Sequence, residues 1–371
     1  MKLDIVTEDQ SPLGELVITT KDPGIPIFPS FIPHIVDNGT LFSHPHWCPT
    51  NATTTPALTR LWVASHIASW LMRCRTKHGD FCNRNFGSDL PTRLLHIQED
   101  GSLKLVHTQD LEVAEAASIS YASVSHVWGT AEMFKLTAEN IERLQQTIPL
   151  DALYRKFRET IDVAAAVGIR YIWIDTLCII QGSEADWKRE AGRMAAVYQN
   201  ATLNFAAVGG SATDVCLTSR NRRPPVLKRG WIWQERFLSR RTVYLGDTQL
   251  AWECGRCLWL ESTGFANRFD DLAIWTGDEG DLKRWKSHWD NFTAAYTDAG
   301  LTRTTDKLAA VAGIAKAFQQ ESLHTYVAGM WKEHIKIGGL LWRTNSRLPR
   351  PAAFRGAPSW SWASVDGSLS Y

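Results

Sequence analysis

Apolar side chains recur along this chain with two different periods, and between residues 150 and 210 the periods take turns. Leu153, Phe157, Ile161 and Ala164 fall at helical spacing, and Ile169 to Ile174 then form a near-continuous run of β-branched and aromatic residues. Trp187, Ala191, Met194 and Tyr198 return to helical spacing, and Thr202 to Val208 make a second short apolar run. Such runs are too short for free-standing helices and read as strands buried on both faces. Gly168 stands where a left-handed glycine would close the first helix, and Ser183 with Asp186 three residues on reads as a capping pair opening the second. Helix, strand, helix, strand with short links predicts an α/β fold, a mostly parallel sheet with flanking helices. Asp175 then lies at the carboxyl end of a central strand, where open α/β sheets place ligands.

Around this centre the pattern is more varied. Residues 1–60 are proline-rich and lack periodic runs, so an irregular lead-in is expected. A helix is predicted from Leu58 to Cys82, with Leu61, Ser65, Ala68, Met72 and Arg75 marking its turns. It carries Cys74, His78 and Cys82 on one face. Leu94–Ile97 and Leu103–His107 read as a β-hairpin. Tyr121–Trp128 reads as a strand ending in Ser125, His126, Trp128 and Gly129, and Ala138–Thr147 as a helix capped by Thr137. After Gly210 comes a basic loop, whose arginines could hold phosphate but fit a solvated surface better. Beyond it are a short helix over Trp231–Leu238 and a hairpin turning at Gly246-Asp247. From Trp285 the texture is helical, with segments containing Trp289, Phe292 and Tyr296, then Lys307–Phe318, then Tyr326–Trp342. The closing Trp/Ser alternation reads as a strand with indoles on one face. Three regions follow: a lead-in (1–60), an α/β core (61–262) and a helical C-terminal region (263–371).

Composition narrows the function classes. The chain has 371 residues, 21% of them charged, and a net charge of +1, so neither nucleic acid nor an anionic membrane surface is an expected partner. It opens with no apolar leader and has no run long enough to span a bilayer, which points to the cytoplasm. Seven cysteines in a chain of this size fit free thiols better than a disulfide framework. Cys74, His78 and Cys82 offer three soft ligands, but a structural zinc needs four and Cys-x3-His-x3-Cys is not a common zinc spacing. A packed face of thiols is therefore favoured over a metal, and none is expected. Cys254 and Cys257 form a CxxC with no second pair to complete a site. The 17 tryptophans either build a core or line a site.

The blocks YASVSHVWG, GIRYIWIDTLCIIQ, DWKREAGRMAAVYQNATLNFAA, RGWIWQERFLSRR, WEC, LTRTTDKLAAVAGIA and APSWSWASVDG resemble, in order and spacing, the heterokaryon incompatibility (HET) domain proteins of filamentous fungi over about residues 60 to 371. The resemblance implies a fungal, intracellular protein of a family some of whose members trigger cell death. One departure stands out: where the first block usually has an aromatic and a cysteine before Trp-Gly, this chain has His126 and Val127. The family is in turn distantly similar to Toll/interleukin-1 receptor (TIR) domains, which implies a flavodoxin-like sheet and, for some members, NAD cleavage. Carried over by position, Glu235 falls where the catalytic glutamate of such domains would be.

Cleavage of a nicotinamide glycosidic bond needs a carboxylate near the ribose and an aromatic surface for the base. Glu235 with Trp231 and Trp128 would supply these, with Asp175 and Ser125 bonding the ribose. The competing readings are structural. Glu235 can pair with Arg236, Arg240 or Arg241, and Asp175 can cap the turn after its strand. Cys178 fits a buried thiol better than a nucleophile activated by His126. Three classes remain open: a cell-death effector that binds or cleaves NAD or a related nucleotide, a small-molecule cyclase or isomerase of a fungal biosynthetic pathway built on His126, and a non-catalytic module that binds a protein partner or itself.

Overall fold

The computed structural model describes residues 5–7, 16–18, 56–83, 89–128, 133–207, 229–246, 250–260, 265–268, 281–301, 304–345 and 356–371. The basic loop after Gly210 falls outside them, apart from its last two residues. The chain gathers into two compact units. The described residues of the first fall within Met1–Ile18, Gly39–Val226 and Ser239–Arg268, and those of the second within Leu227–Leu238 and Phe269–Tyr371. None of the described helices is long and apolar enough to cross a membrane.

In the first unit, β1 (Ile5–Thr7) and β2 (Leu16–Ile18) pair antiparallel, so the lead-in is not wholly irregular. Helix α1 (Pro56–Lys77) is followed at once by the short α2 (Gly79–Asn83). The buried face of α1 is Val63, Ala64, Ile67, Leu71 and Cys74, whereas Ser65, Ala68, Met72 and Arg75, expected to mark its turns, are exposed. Two frames satisfied the helical spacing, and the one with bulky branched side chains is the one removed from water. Next come the edge hairpin β3 (Arg93–Ile97) and β4 (Leu103–His107), α3 (Val113–Ser118), β5 (Tyr121–Ser125), α4 (Ile141–Gln146), α5 (Arg155–Ala166), β6 (Tyr171–Trp173), the single turn α6 (Asp175–Cys178), α7 (Glu184–Asn200), β7 (Leu203–Ala207), and, after the chain has passed through the second unit, β8 (Arg241–Leu245), β9 (Leu250–Cys254), β10 (Cys257–Leu260) and β11 (Phe265–Arg268).

These strands from β3 on form one nine-stranded sheet in the order β11-β10-β9-β8-β7-β5-β6-β3-β4. Its centre, β6-β5-β7-β8, is parallel throughout, and hairpin strands extend it antiparallel on both sides. Numbered along the chain, the parallel strands run second, first, third, fourth. This is a doubly wound, flavodoxin-like order, whose ligand crevice lies outside the carboxyl ends where the winding reverses. Every residue of β5, β7 and β8 is buried, as expected for strands covered on both faces.

Local signals held where the chemistry was specific. Gly168 has φ +83°, its N–H bonds to Ala165, and Ile169 bonds back to Ala164, closing α5 as expected. Ser183 does cap α7 by accepting from the Asp186 N–H. The Asp186 carboxylate does not reach back to complete a reciprocal pair. It accepts from the Ile180 N–H at 2.7 Å and from buried Arg93 at 2.5 Å. Arg93 also donates to the Cys178 carbonyl at 2.7 Å and lies 3.7 Å from Glu190, tying β3, α6 and α7 together. Helix α4 starts later than expected because Asn140, not Thr137, organises its entry, accepting from the Thr137 N–H and donating to the Lys135 carbonyl.

The second unit is built on indoles. It contains α8 (Ile232–Leu238), α9 (Leu282–Thr297), α10 (Lys307–Ser322), the paired β12 (Tyr326–Val327) and β13 (Met330–Trp331), α11 (Lys332–Ile335), and the paired β14 (Arg343–Thr344) and β15 (Leu369–Ser370). Its core packs Trp285, Trp289, Phe292, Tyr296, Phe318, Trp331 and Trp362. The helix expected over Tyr326–Trp342 is absent: Ala328 and Gly329 take positive φ, turning the chain into a two-stranded hairpin, and only Lys332–Ile335 is α-helical. The closing Trp/Ser segment is not a strand either. Ser361 caps a single turn over Trp362–Ser364, which buries Trp362 and leaves Trp360 40% exposed. The Gly329 carbonyl accepts from both Trp289 (2.9 Å) and Trp362 (2.6 Å), and a Cβ there would meet the Trp362 ring at 3.0 Å.

Candidate functional site

The parallel register pairs Ser123 with Trp173, so two residues further on Ser125 stands level with Asp175. This brings the ends of β5 and β6 together. The Asp175 carboxylate accepts from its neighbour Thr176 N–H at 2.7 Å through Oδ1 and from the Trp128 indole N–H at 2.8 Å through Oδ2, and His126 Nε2 lies 3.4 Å from Oδ1. His126 is only 1% exposed and meets the Phe157 ring edge-on at 4.8 Å, while Trp128 keeps 37% of its surface open. Lys156 of α5 donates to the Val127 carbonyl at 2.6 Å and so pins the segment between them. Asp175 therefore bonds the first N–H of the turn that follows its strand and, with its other oxygen, the Trp128 indole. The Asp175 carboxylate is thus fixed by two N–H donors, with the buried imidazole of His126 close beside it.

The remaining sequence candidates separate. Ser125 is wholly buried and belongs to a different network, with Ser123 and Ser125 hydroxyls at 3.0 and 3.3 Å from Asn204 Oδ1 on the neighbouring β7. Asn204 was not singled out in the sequence, although a lone amide inside the run TLNFAAV is a signal that something must satisfy it. Cys178 is buried in α6, and burial pushes its thiol up to about 12, which disfavours the thiolate a nucleophile needs. Gly129 lies outside the described residues. Glu235 and Trp231 belong to the second unit. Glu235 is buried on α8, its N–H bonds to the Trp231 carbonyl, and Arg229 lies 3.9 Å from its carboxylate. Trp231 packs against the aromatic core.

The cysteine-histidine face is more than the sequence implied. One ligand atom from each of Cys74, His78, Cys82 and Cys254 lies within 4.8 Å of all the others, so the fourth donor that the spacing lacked comes from β9. Hydrogen bonds from Cys257, Cys74 and Cys82 hold the Cys254 thiol far below its ordinary pKa, while those of Cys82 and Cys257 are pushed up.

No curated protein and no solved structure matches the chain. Residues 121–225, which run from the first residue of β5 past the end of β7 and contain His126, Trp128 and Asp175, match the sequence model of the family described as heterokaryon incompatibility protein (HET).

Proposed function

We propose that this heterokaryon-incompatibility-type protein acts through a small-molecule site at the carboxyl ends of β5 and β6. Trp128 offers an open face for a planar group such as a nucleotide base, and Asp175 holds His126 for proton transfer to or from the ligand. The observation that supports this reading is the meeting of His126, Trp128 and Asp175 at the carboxyl ends of β5 and β6, one strand pair away from the β5/β7 crevice where the winding reverses. NAD is the substrate to try first, and Glu235, which belongs to the second unit, is tested separately as the ribosyl-stabilising carboxylate expected from the sequence. The His126–Asp175 pair equally favours proton-transfer chemistry of a cyclase or isomerase type, for which no ribosyl-stabilising carboxylate is required.

The test is to incubate the purified full-length protein with NAD and follow nicotinamide release. Turnover that falls at least about 100-fold in Asp175→Asn supports NAD cleavage at this site, and the same loss in Glu235→Ala is read separately as support for that carboxylate. Binding without turnover, lost in Trp128→Ala, supports a nucleotide-binding site that does not cleave. Turnover or binding unaffected by Asp175→Asn and Trp128→Ala removes the site from the mechanism.

A further inference from the structure

We propose that Cys74, His78, Cys82 and Cys254 form a closed structural zinc site that fastens α1 and α2 to the β9–β10 hairpin of the first unit. Zinc bonds of about 2.3 Å to sulfur and about 2.0–2.1 Å to nitrogen, set tetrahedrally, place neighbouring ligand atoms roughly 3.6–3.8 Å apart. His78 Nδ1 lies 3.6 Å from Cys82 Sγ and 3.3 Å from Cys254 Sγ, and the four ligand atoms keep within 4.8 Å of one another. That is the size of one coordination sphere. The cysteines are all buried. Nothing but protein donors is needed to fill four positions, so the site is of the structural rather than the catalytic kind.

The backbone is shaped to this end. In an unbroken helix residues 74 and 82 would be separated by roughly 12 Å along the axis, too far for their sulfurs to share an ion. Helix α1 instead stops at Lys77, and Gly79 takes φ +52° with open space around the position where a Cβ would be, so its conformation and not crowding calls for glycine. The turn folds Cys82 back toward Cys74 and His78. Cys254 comes from the other side, at the end of β9, directly paired with Cys257 across the tight β9–β10 turn.

The surroundings suit an anionic cluster. Three thiolates and one divalent zinc carry a net charge of −1, and the buried Arg241 guanidinium donates to Cys74 Sγ at 3.2 Å and to the Cys82 carbonyl at 2.9 Å. A buried guanidinium facing neutral thiols would be poorly compensated. With Nδ1 on the metal, His78 keeps Nε2–H as a donor, and Cys257 Sγ lies 4.0 Å from Nε2 while itself accepting from the Trp259 indole at 2.8 Å. Cys257 thus reads as an outer neighbour that orients the ligands. Thiolate and imidazole donors in tetrahedral reach select zinc over hard cations. On binding, the three cysteine thiols release their protons to solvent and no electron is transferred.

Full-length protein purified under reducing conditions without chelator is expected to carry about one zinc per chain by elemental analysis. Cobalt exchanged into it should give the thiolate charge-transfer bands and tetrahedral d–d spectrum of a site with three sulfur ligands and one nitrogen. Cys74→Ser, Cys82→Ser, Cys254→Ser and His78→Ala should lose the metal, Cys257→Ser should keep it, and Arg241→Gln should weaken it by about 10–100-fold. Since ligand variants can fail to fold, a second measurement uses the unaltered protein: a strong chelator should lower its melting temperature and added zinc should restore it. Protein that takes up neither zinc nor cobalt overturns the site. Metal lost in Cys257→Ser but kept in Cys82→Ser overturns this ligand set.

Discussion

The two units both bury apolar cores, but they differ in what is added to them. The first buries polar groups and satisfies them with each other: Arg93 with Asp186, Asn204 with Ser123 and Ser125, Asp175 with Trp128 and Thr176. The second excludes water with interlocking rings, Trp331 stacking on Phe318 at 4.6 Å and meeting Trp289 edge-on at 5.0 Å. Buried hydrogen-bonded networks fix geometry but return little net stability, whereas aromatic packing returns much and specifies less. The difference matches what each part can offer. A site needs side chains held in set directions, and His126, Trp128 and Asp175 lie in the first unit.

If this contrast is right, the largest single loss should come from the aromatic core. Trp331→Ala should cost about 3–5 kcal/mol in chemical denaturation, with hydrogen exchange placing the loss in the second unit. Trp331→Phe should cost much less, because it also removes a buried indole N–H that has no partner among the described residues. Next comes the first unit's buried ion pair: Asp186→Ala should cost about 3 kcal/mol by leaving Arg93 with only the more distant Glu190 as its counter-charge. Equal costs spread over both units in these two variants would break the comparison.

Acid should draw on the second unit through His334. Burial, with neighbouring His324 charge adding to it, lowers His334 from 6.5 to about 3, so the unfolded chain takes up this proton before the folded one. The stability it contributes is complete above about 6.5 and drains away as pH falls toward 3. Burial works against the Asp186 charge, but Arg93 and the Ile180 N–H outweigh it and hold that carboxyl below 3.8, so its contribution is intact above that value and lost only below it. His96 and His107 in the first unit are also lowered by burial, so the quantity to measure is the part of the pH 6.5-to-3 slope that His334→Gln abolishes. An unchanged slope would remove His334 as its source. The smallest effect, about 1 kcal/mol, belongs to Ser183→Ala, which removes the cap of α7 and should leave exchange in the second unit untouched.

How far the sequence spoke depended on the range of the interactions involved. The parallel centre was legible because a doubly buried strand and a helix C-terminal glycine are local signals. The Tyr326–Trp342 segment misled because its periodicity suits a helix, while the positive φ at Ala328 and the demand of two indoles for the Gly329 carbonyl come from elsewhere in the chain. His126, Trp128 and Asp175 could be grouped from strand order alone, as neighbouring parallel strands end together. Asn204 and Lys156 needed coordinates, since their partners are set by register and helix packing. Cys254 could not be joined to Cys74 and Cys82 from spacing, because more than 170 residues separate it from either.

That the Gly329 oxygen receives two indoles has a genetic corollary. A mutation that shifts this one atom would unseat a tryptophan of α9 and another near the C-terminus together, so damage in these remote stretches should behave as a single lesion. Revertants of either defect are then most usefully sought in the short hairpin that presents that oxygen.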